Sequence, residues 1–195
     1  MGNVLKDQEV NLNEIDPGLK RIKVGLGWDA PSEADGFPVD LDASAFLLKA
    51  DGVVRQDTDF VFYNNLQTEE GKVRHLGDCH DGEIEGDDEE IEIDLEAISF
   101  DIDKITFSVT IHNYEERQQS FGLIKNAYMR VVDLDTNYEI ARFDLTEDAS
   151  DENGFIFGEI FRDVPSGWKF KALGVGCTGG LYQIARDFNV NVSPM

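Results

Sequence analysis

Ile22, Val24, Leu26 and Trp28 alternate with Lys23, Gly25 and Gly27, the period-two pattern of a half-buried strand. The run ends at Asp29, before a loop with proline and glycine from Pro31 to Pro38. The next run alternates again: Val39, Leu41, Ala43, Ala45 and Leu47 face one way, and Asp40, Asp42, Ser44, Phe46 and Leu48 the other. Two carboxylates therefore project from one face near the start of a strand. Asp51-Gly52 signals a turn, and the β-prone run Asp59 to Tyr63 ends at Asn64-Asn65. An antiparallel hairpin of these two runs brings Asn64 back beside Asp40 and Asp42. A weak strand around Val73 leads into a long acidic stretch.

Beyond that stretch, Ile91, Ile93 and Leu95 alternate with Glu92 and Asp94, and Ile105, Phe107, Val109 and Ile111 alternate with polar residues. Further strands are expected from Ala127 to Asp133, Glu139 to Leu145, Phe155 to Phe161 and Trp168 to Val175, separated by segments rich in Asp, Asn, Gly or Pro. Short strands at this spacing predict a mainly β fold, a β-sandwich of antiparallel strands. Leu181, Ile184, Ala185 and Phe188 follow helical spacing, with Thr178 as the expected cap. This C-terminal helix is expected over a sheet edge or an open end of the sandwich. Glu115 to Phe121 has room for one helical turn. With no internal repeat and no linker, residues 1–195 read as a single domain.

Charge changes the picture most. Seventeen Lys and Arg stand against forty Asp and Glu, a formal charge of -23. Such a surface disfavours nucleic acid and anionic lipid as partners and favours cations and basic proteins. No signal-peptide run and no apolar stretch long enough for a transmembrane segment is present, so a cytoplasmic protein is expected. Met1-Gly2 lacks the Ser or Thr that myristoylation needs at the sixth position, where Lys6 stands. Two distant cysteines, Cys79 and Cys177, suit a reducing compartment and argue against a disulfide scaffold.

The acids concentrate from Gly77 to Glu89, which reads G-D-C-H-D-G-E-I-E-G-D-D-E, and no Lys or Arg occurs between His75 and Asp103. Crowded carboxylates repel by roughly a few kcal/mol per close pair at an effective dielectric near 20, so counter-charge is expected from outside the sequence. Hard divalent cations take oxygen ligands, and Ca2+ accepts about six to eight with loose geometry, whereas Mg2+ demands a stricter octahedron. A glycine-punctuated acidic loop fits Ca2+ better. An EF-hand pattern can be laid over Asp81, Glu83, Glu85, Gly86 and Glu92, but Glu replaces shorter acids at two positions, Asp88 occupies an apolar position, and the flanks alternate as strands. Against this stands the plain reading of a charge run as a solvated face. Asp133, Asp135, Glu147 and Asp148 read as turn acids without a role.

These residues also carry a resemblance. Gly77 to Glu89 is similar, at equal length, to the acidic G-D-N-x-T-G-E-G-D-G-D-D-E signature of the TerD-type tellurium-resistance and general-stress family. Supporting segments are Gly25-Leu-Gly-Trp-Asp29, Asp40-Leu-Asp-Ala-Ser44, Gln119-Ser-Phe-Gly122, Ala141-Arg-Phe-Asp-Leu145, Phe157-Gly-Glu159 and Trp168-Lys-Phe170. The resemblance implies a β-sandwich that binds Ca2+ through the acidic loop, in bacterial proteins linked to resistance to tellurite, phage, colicins and other stress. Asp78, Asp87, Asp88 and Glu89 rank first as metal ligands, Asp40, Asp42 and Asn64 second, and Glu85 last. The chain departs from the signature with Cys79 for Asn, Asp81 for Thr, Ile84 for Gly and Glu85 for Asp, which leaves one or two ion sites open.

Enzyme readings fare worse. Cys79-His80 lacks a second cysteine at short spacing for a zinc site with His75 or His112. Neither a Gly-x-Ser-x-Gly elbow nor a phosphate-binding glycine loop occurs. The expected function is a non-enzymatic Ca2+-binding stress protein. The alternative is a Ca2+-regulated scaffold or adaptor that docks other Ter-family or stress proteins at the inner face of the membrane. Direct capture of tellurium oxyanions by Cys79 is disfavoured by the acidic surface.

Overall fold

The computed structural model describes residues 3–29, 39–78, 86–145 and 151–192. Eleven strands form two antiparallel sheets: β1 (Glu9–Asn11), β2 (Arg21–Asp29), β3 (Leu41–Leu48), β4 (Phe60–Val61), β5 (Val73–Asp78), β6 (Glu89–Asp94), β7 (Lys104–Ile111), β8 (Lys125–Asp133), β9 (Glu139–Asp144), β10 (Gly154–Asp163) and β11 (Gly167–Cys177). The six-stranded sheet has the order β1-β11-β10-β7-β3-β4, and the five-stranded sheet β5-β6-β2-β8-β9. Among the described residues there are also three short α-helices, α1 (Leu12–Ile15), α2 (Tyr114–Arg117) and α3 (Gly180–Asp187), and two single 3-10 turns, Asp57–Asp59 and Phe121–Leu123.

The alternating positions meet between the sheets. Val24, Leu26, Ile91, Ile93 and Val131 from one sheet pack with Ala43, Ala45, Leu47, Phe107 and Val109 from the other. The opposite face of β3 also packs, because Phe46 and Leu48 join Phe60, Ile184, Ala185 and Val190 in a second apolar layer. There Phe46 stacks on Phe60 with ring centroids 4.4 Å apart. The expectation that the C-terminal helix covers a sheet edge or an open end is therefore corrected: α3 lies on the outer face of the six-stranded sheet. Each large apolar side chain it buries contributes about 1.5–3 kcal/mol, which explains why β3 is buried on both faces.

Thr178 does not cap this helix. Gly179 takes the N-cap position at φ +96°, without a side-chain cap, and the Asn153 side chain accepts the Gly180 N–H at 2.8 Å instead. The predicted acids of the β8–β9 turn behave as turn residues: Asp133 accepts the Asp135 N–H at 2.8 Å and the Thr136 hydroxyl. Cys177 is a free thiol whose pKa burial pushes up to about 11, helped by Asp187 and Glu152. Among the described residues no helix is long and apolar enough to cross a membrane.

Candidate metal centre

Strands β5 and β6 are antiparallel neighbours, so they bring the two ends of the acidic stretch together. Val73 faces Ile93 and His75 faces Ile91; β5 then gains one residue, and Asp78 faces Glu89. Gly77 lies within the irregular step at φ +107°, a conformation open to a residue without Cβ. Residues 79–85, Glu85 among them, lie outside the described residues.

At the root of this connection, Glu89 and His75 are both buried, with 1% and 0% of their side chains exposed, and Glu89 Oε2 is 2.8 Å from His75 Nε2. The Gly77 N–H donates to His75 Nδ1 at 3.1 Å. His75 Nδ1 thus acts as an acceptor, and Nε2 stands within ion-pair distance of the Glu89 carboxylate. The same carboxylate oxygen accepts the Ala43 N–H at 3.1 Å. Ala43 belongs to β3, whose far neighbour β4 pairs only Ala45 and Phe46. Glu89 thus reaches from one sheet to satisfy an N–H of the other beyond the end of β4. Asp88 is buried beside it, with Oδ2 accepting the Trp28 N–H at 2.8 Å and its own N–H donating to the Leu26 carbonyl at 2.7 Å. Burying a carboxylate is costly unless it is hydrogen-bonded, and here a backbone donor reaches one oxygen of each, from the five-stranded sheet for Asp88 and from the six-stranded sheet for Glu89.

Asp87 turns away from this pair, onto the outer face of the five-stranded sheet. It lies over Gly25, where a Cβ would stand 2.1 Å from its Oδ2. Arg130 grips the carboxylate with Nε at 2.7 Å and Nη2 at 3.0 Å. Lys23 Nζ stands 3.4 Å away. The Tyr128 hydroxyl lies 2.7 Å from the Gly86 carbonyl and 3.1 Å from Asp87 Oδ1. The Asp87 bond raises the Arg130 pKa despite partial burial. For Lys23, burial works in the opposite direction, but Glu90 and Asp87 more than offset it and the pKa rises. Burial, then Asp87, pushes Tyr128 up to about 12. The expectation that counter-charge must come from outside the chain is corrected for Asp87: β2 and β8 supply it, from residues close in space and distant in sequence.

Asp42 forms a third constellation. It shares its face of β3 with Phe46 and Leu48, opposite Ala43, and its Oδ2 lies 3.0 Å from His112 Nδ1. The His112 N–H donates to the Asp40 carbonyl at 2.8 Å. Continuing the β3–β4 register, in which Ala45 faces Val61, would set Asn64 opposite Asp42. The ladder stops at Val61, however, and Phe62 and Asn65 exchange backbone bonds across a tight turn, which leaves Asn64 exposed. Tyr63 takes the expected place, its ring 5.6 Å from that of His112.

The structure therefore brings Asp88 and Glu89 together, with the Asp78 backbone opposite, and separates them from Asp87, Asp42 and Asn64. Among the described residues no three carboxylate, imidazole or thiol groups are placed to hold a metal ion. Sequence reasoning missed His75 as the partner of Glu89, and Arg130 and Tyr128 as partners of Asp87. Only Gly25, inside a strand where a side chain would normally pack, hinted at a close approach.

The sequence profile of the TerD domain matches residues 1–188. The chain belongs to the TerD domain family. Tellurium resistance protein TerD of Alcaligenes sp is 50% identical over 188 residues, covering 96% of this chain and 97% of the relative. General stress protein 16U of Bacillus subtilis (strain 168) is 45% identical over 190 residues, covering 97% and 98%. A crystal structure of a homologue of telluride resistance protein (TerD) from Streptomyces coelicolor A3(2) has the same fold, with a TM-score of 0.70 at 24% identity over 86% of this chain and 96% of that one. In this TerD domain the Asp-Asp-Glu run at residues 87–89 divides its labour: the first acid fastens the stretch to the outside of one sheet, and the next two stand at the junction of both.

Proposed function

We propose that this TerD-domain chain is a non-enzymatic Ca2+-binding protein of the stress response, one that acts in tellurite and chemical-damage resistance as the names of its relatives indicate for those proteins. The observation that carries the reading is the pair Asp88 and Glu89: two buried carboxylates, held by the N–H groups of Trp28 and Ala43, at the root of a stretch that holds Asp78, Asp81, Glu83 and Glu85. A carboxylate offers about four lone-pair sites over its two oxygens, so accepting backbone N–H groups leaves capacity for a cation. Donors fixed in advance spare the ion the entropy of ordering them.

Asp88 and Glu89 would hold the ion, together with other oxygens of the acidic sequence Gly77 to Glu89. Carboxylate and carbonyl oxygens suit hard Ca2+. The ion would supply charge neutralisation and cross-link the acidic stretch to the sandwich. Placement in the cytoplasm, and work with other stress proteins at the inner face of the membrane, belong to the same proposal. Thermal melts in chelator and in Ca2+ test it: at 100 times its dissociation constant a ligand of the folded state adds about 2.7 kcal/mol. Identical melting curves would count against the reading.

A further inference from the structure

A cavity of about 300 Å3 opens beside the start of α3, on the face of β3 that carries Asp42. Its walls include Tyr63, Tyr114 and Tyr182, and its charged lining is Asp42, Glu115 and Glu116, with His112 between; Lys and Arg are absent from the lining. The Asp42 side chain is 9% exposed and that of His112 31%. His112 Nδ1 lies 3.0 Å from Asp42 Oδ2, which fixes the ring against the cavity wall. The Tyr114 ring is seated by Gly180, where a Cβ would come within 2.7 Å of it. Its hydroxyl donates to Glu115 Oε1 at 3.0 Å.

We propose that this cavity is a binding site for a small organic ammonium ion. Tyrosine faces attract a weakly hydrated cation through their quadrupole, by about 0.5–2 kcal/mol each. The carboxylates supply counter-charge and accept the N–H groups of the ligand. A cavity of this size is at the lower end for small-molecule sites, and the mixture of aromatic walls with acids selects an alkylammonium over a metal. Tyr182 already carries one cation, Arg186, 5.7 Å from its ring centroid, and Arg186 is not part of the lining. The site is separate from the proposed Ca2+ centre, since Asp42 and Ala43 project to opposite faces of β3.

The test adds n-butylammonium, tetramethylammonium or K+ to the full chain in about 0.15 M salt, which screens diffuse attraction to the acidic surface. Tyrosine ring signals are followed by NMR. Butylammonium should shift Tyr63, Tyr114 and Tyr182 saturably and bind more tightly than tetramethylammonium, which has no N–H to give, while K+ shifts none. Tyr182→Ala, a change on a partly exposed helix face, should weaken binding about tenfold. Asp42→Asn, which keeps an acceptor for His112, should weaken it similarly, and Asp135→Asn, a change at an exposed acid away from the lining, should leave it unchanged. Butylammonium shifts no larger than those with K+, or equal affinity in wild type, Tyr182→Ala and Asp42→Asn, would overturn the proposal.

Discussion

The carboxylate of Glu89, in the five-stranded sheet, accepts the backbone N–H of Ala43, in the six-stranded sheet, at 3.1 Å. This bond closes the sandwich at the end where the acidic stretch emerges. It holds that stretch to both layers at once, because the same oxygen also meets His75.

Removing the carboxylate leaves the buried Ala43 N–H without its acceptor and takes away the group that stands 2.8 Å from buried His75. An unsatisfied buried group costs about 1–3 kcal/mol. Glu89→Ala is therefore expected to lower unfolding free energy by about 2–4 kcal/mol in the presence of chelator, measured by urea denaturation. Glu96→Ala, an exposed change whose ion pair with Lys20 spans 3.5 Å, should change it by less than about 1 kcal/mol.

Gly25 and Asp87 are predicted to act as one unit. A Cβ at position 25 displaces the Asp87 carboxylate, whose side chain is fully buried against Lys23 and Arg130. Breaking a buried pair costs about 3–5 kcal/mol, less where one partner is part-exposed as Arg130 is. Gly25→Ala and Asp87→Ala should each destabilise by about 2–4 kcal/mol, and the double variant should cost well below their sum. Additive losses in a double-mutant cycle would show that the two residues act separately.

Alkaline pH should weaken the fold through two groups. Cys177 rises from 9.0 to about 11 and Tyr128 from 10.0 to about 12 on folding. The folded chain holds these protons more tightly than the unfolded chain, so their contribution is complete below pH about 9 and is lost as pH rises through about 11 and then about 12. A phenolate titration by ultraviolet absorbance should show one tyrosine ionising near pH 12, absent in Tyr128→Phe. Thiol labelling of Cys177 should be slow at pH 8 in the folded chain and fast in denaturant.

The sandwich was legible because strands half-buried on one face leave a period-two trace, as Ile105 to Ile111 and Ile22 to Trp28 do. Strand β1 and α1 escaped because three and four residues carry no period. The position of α3 was misjudged because Phe46 and Leu48 read as the polar-side partners of Asp40 and Asp42, whereas that whole face is covered. Asp88 and Glu89 were legible as a pair of acids at the end of a strand. Nothing in sequence spacing told that Asp87 belongs to Arg130, 43 residues on, because cross-strand neighbours are set by register. Asn64 failed for a local reason: the chain leaves the ladder after Val61, and the turn at Phe62–Asn65 takes it out of line with Asp42.

A specific Ca2+ site rooted at Asp88 and Glu89 should declare itself in calorimetric titration of Ca2+ in about 0.15 M salt. Asp135, an exposed acid paired with Arg21, serves as the control. Saturable binding of one or two ions is expected, weakened about tenfold or more by Asp88→Asn and untouched by Asp135→Asn. Absence of saturable heat, or the same affinity in all three proteins, would contradict it.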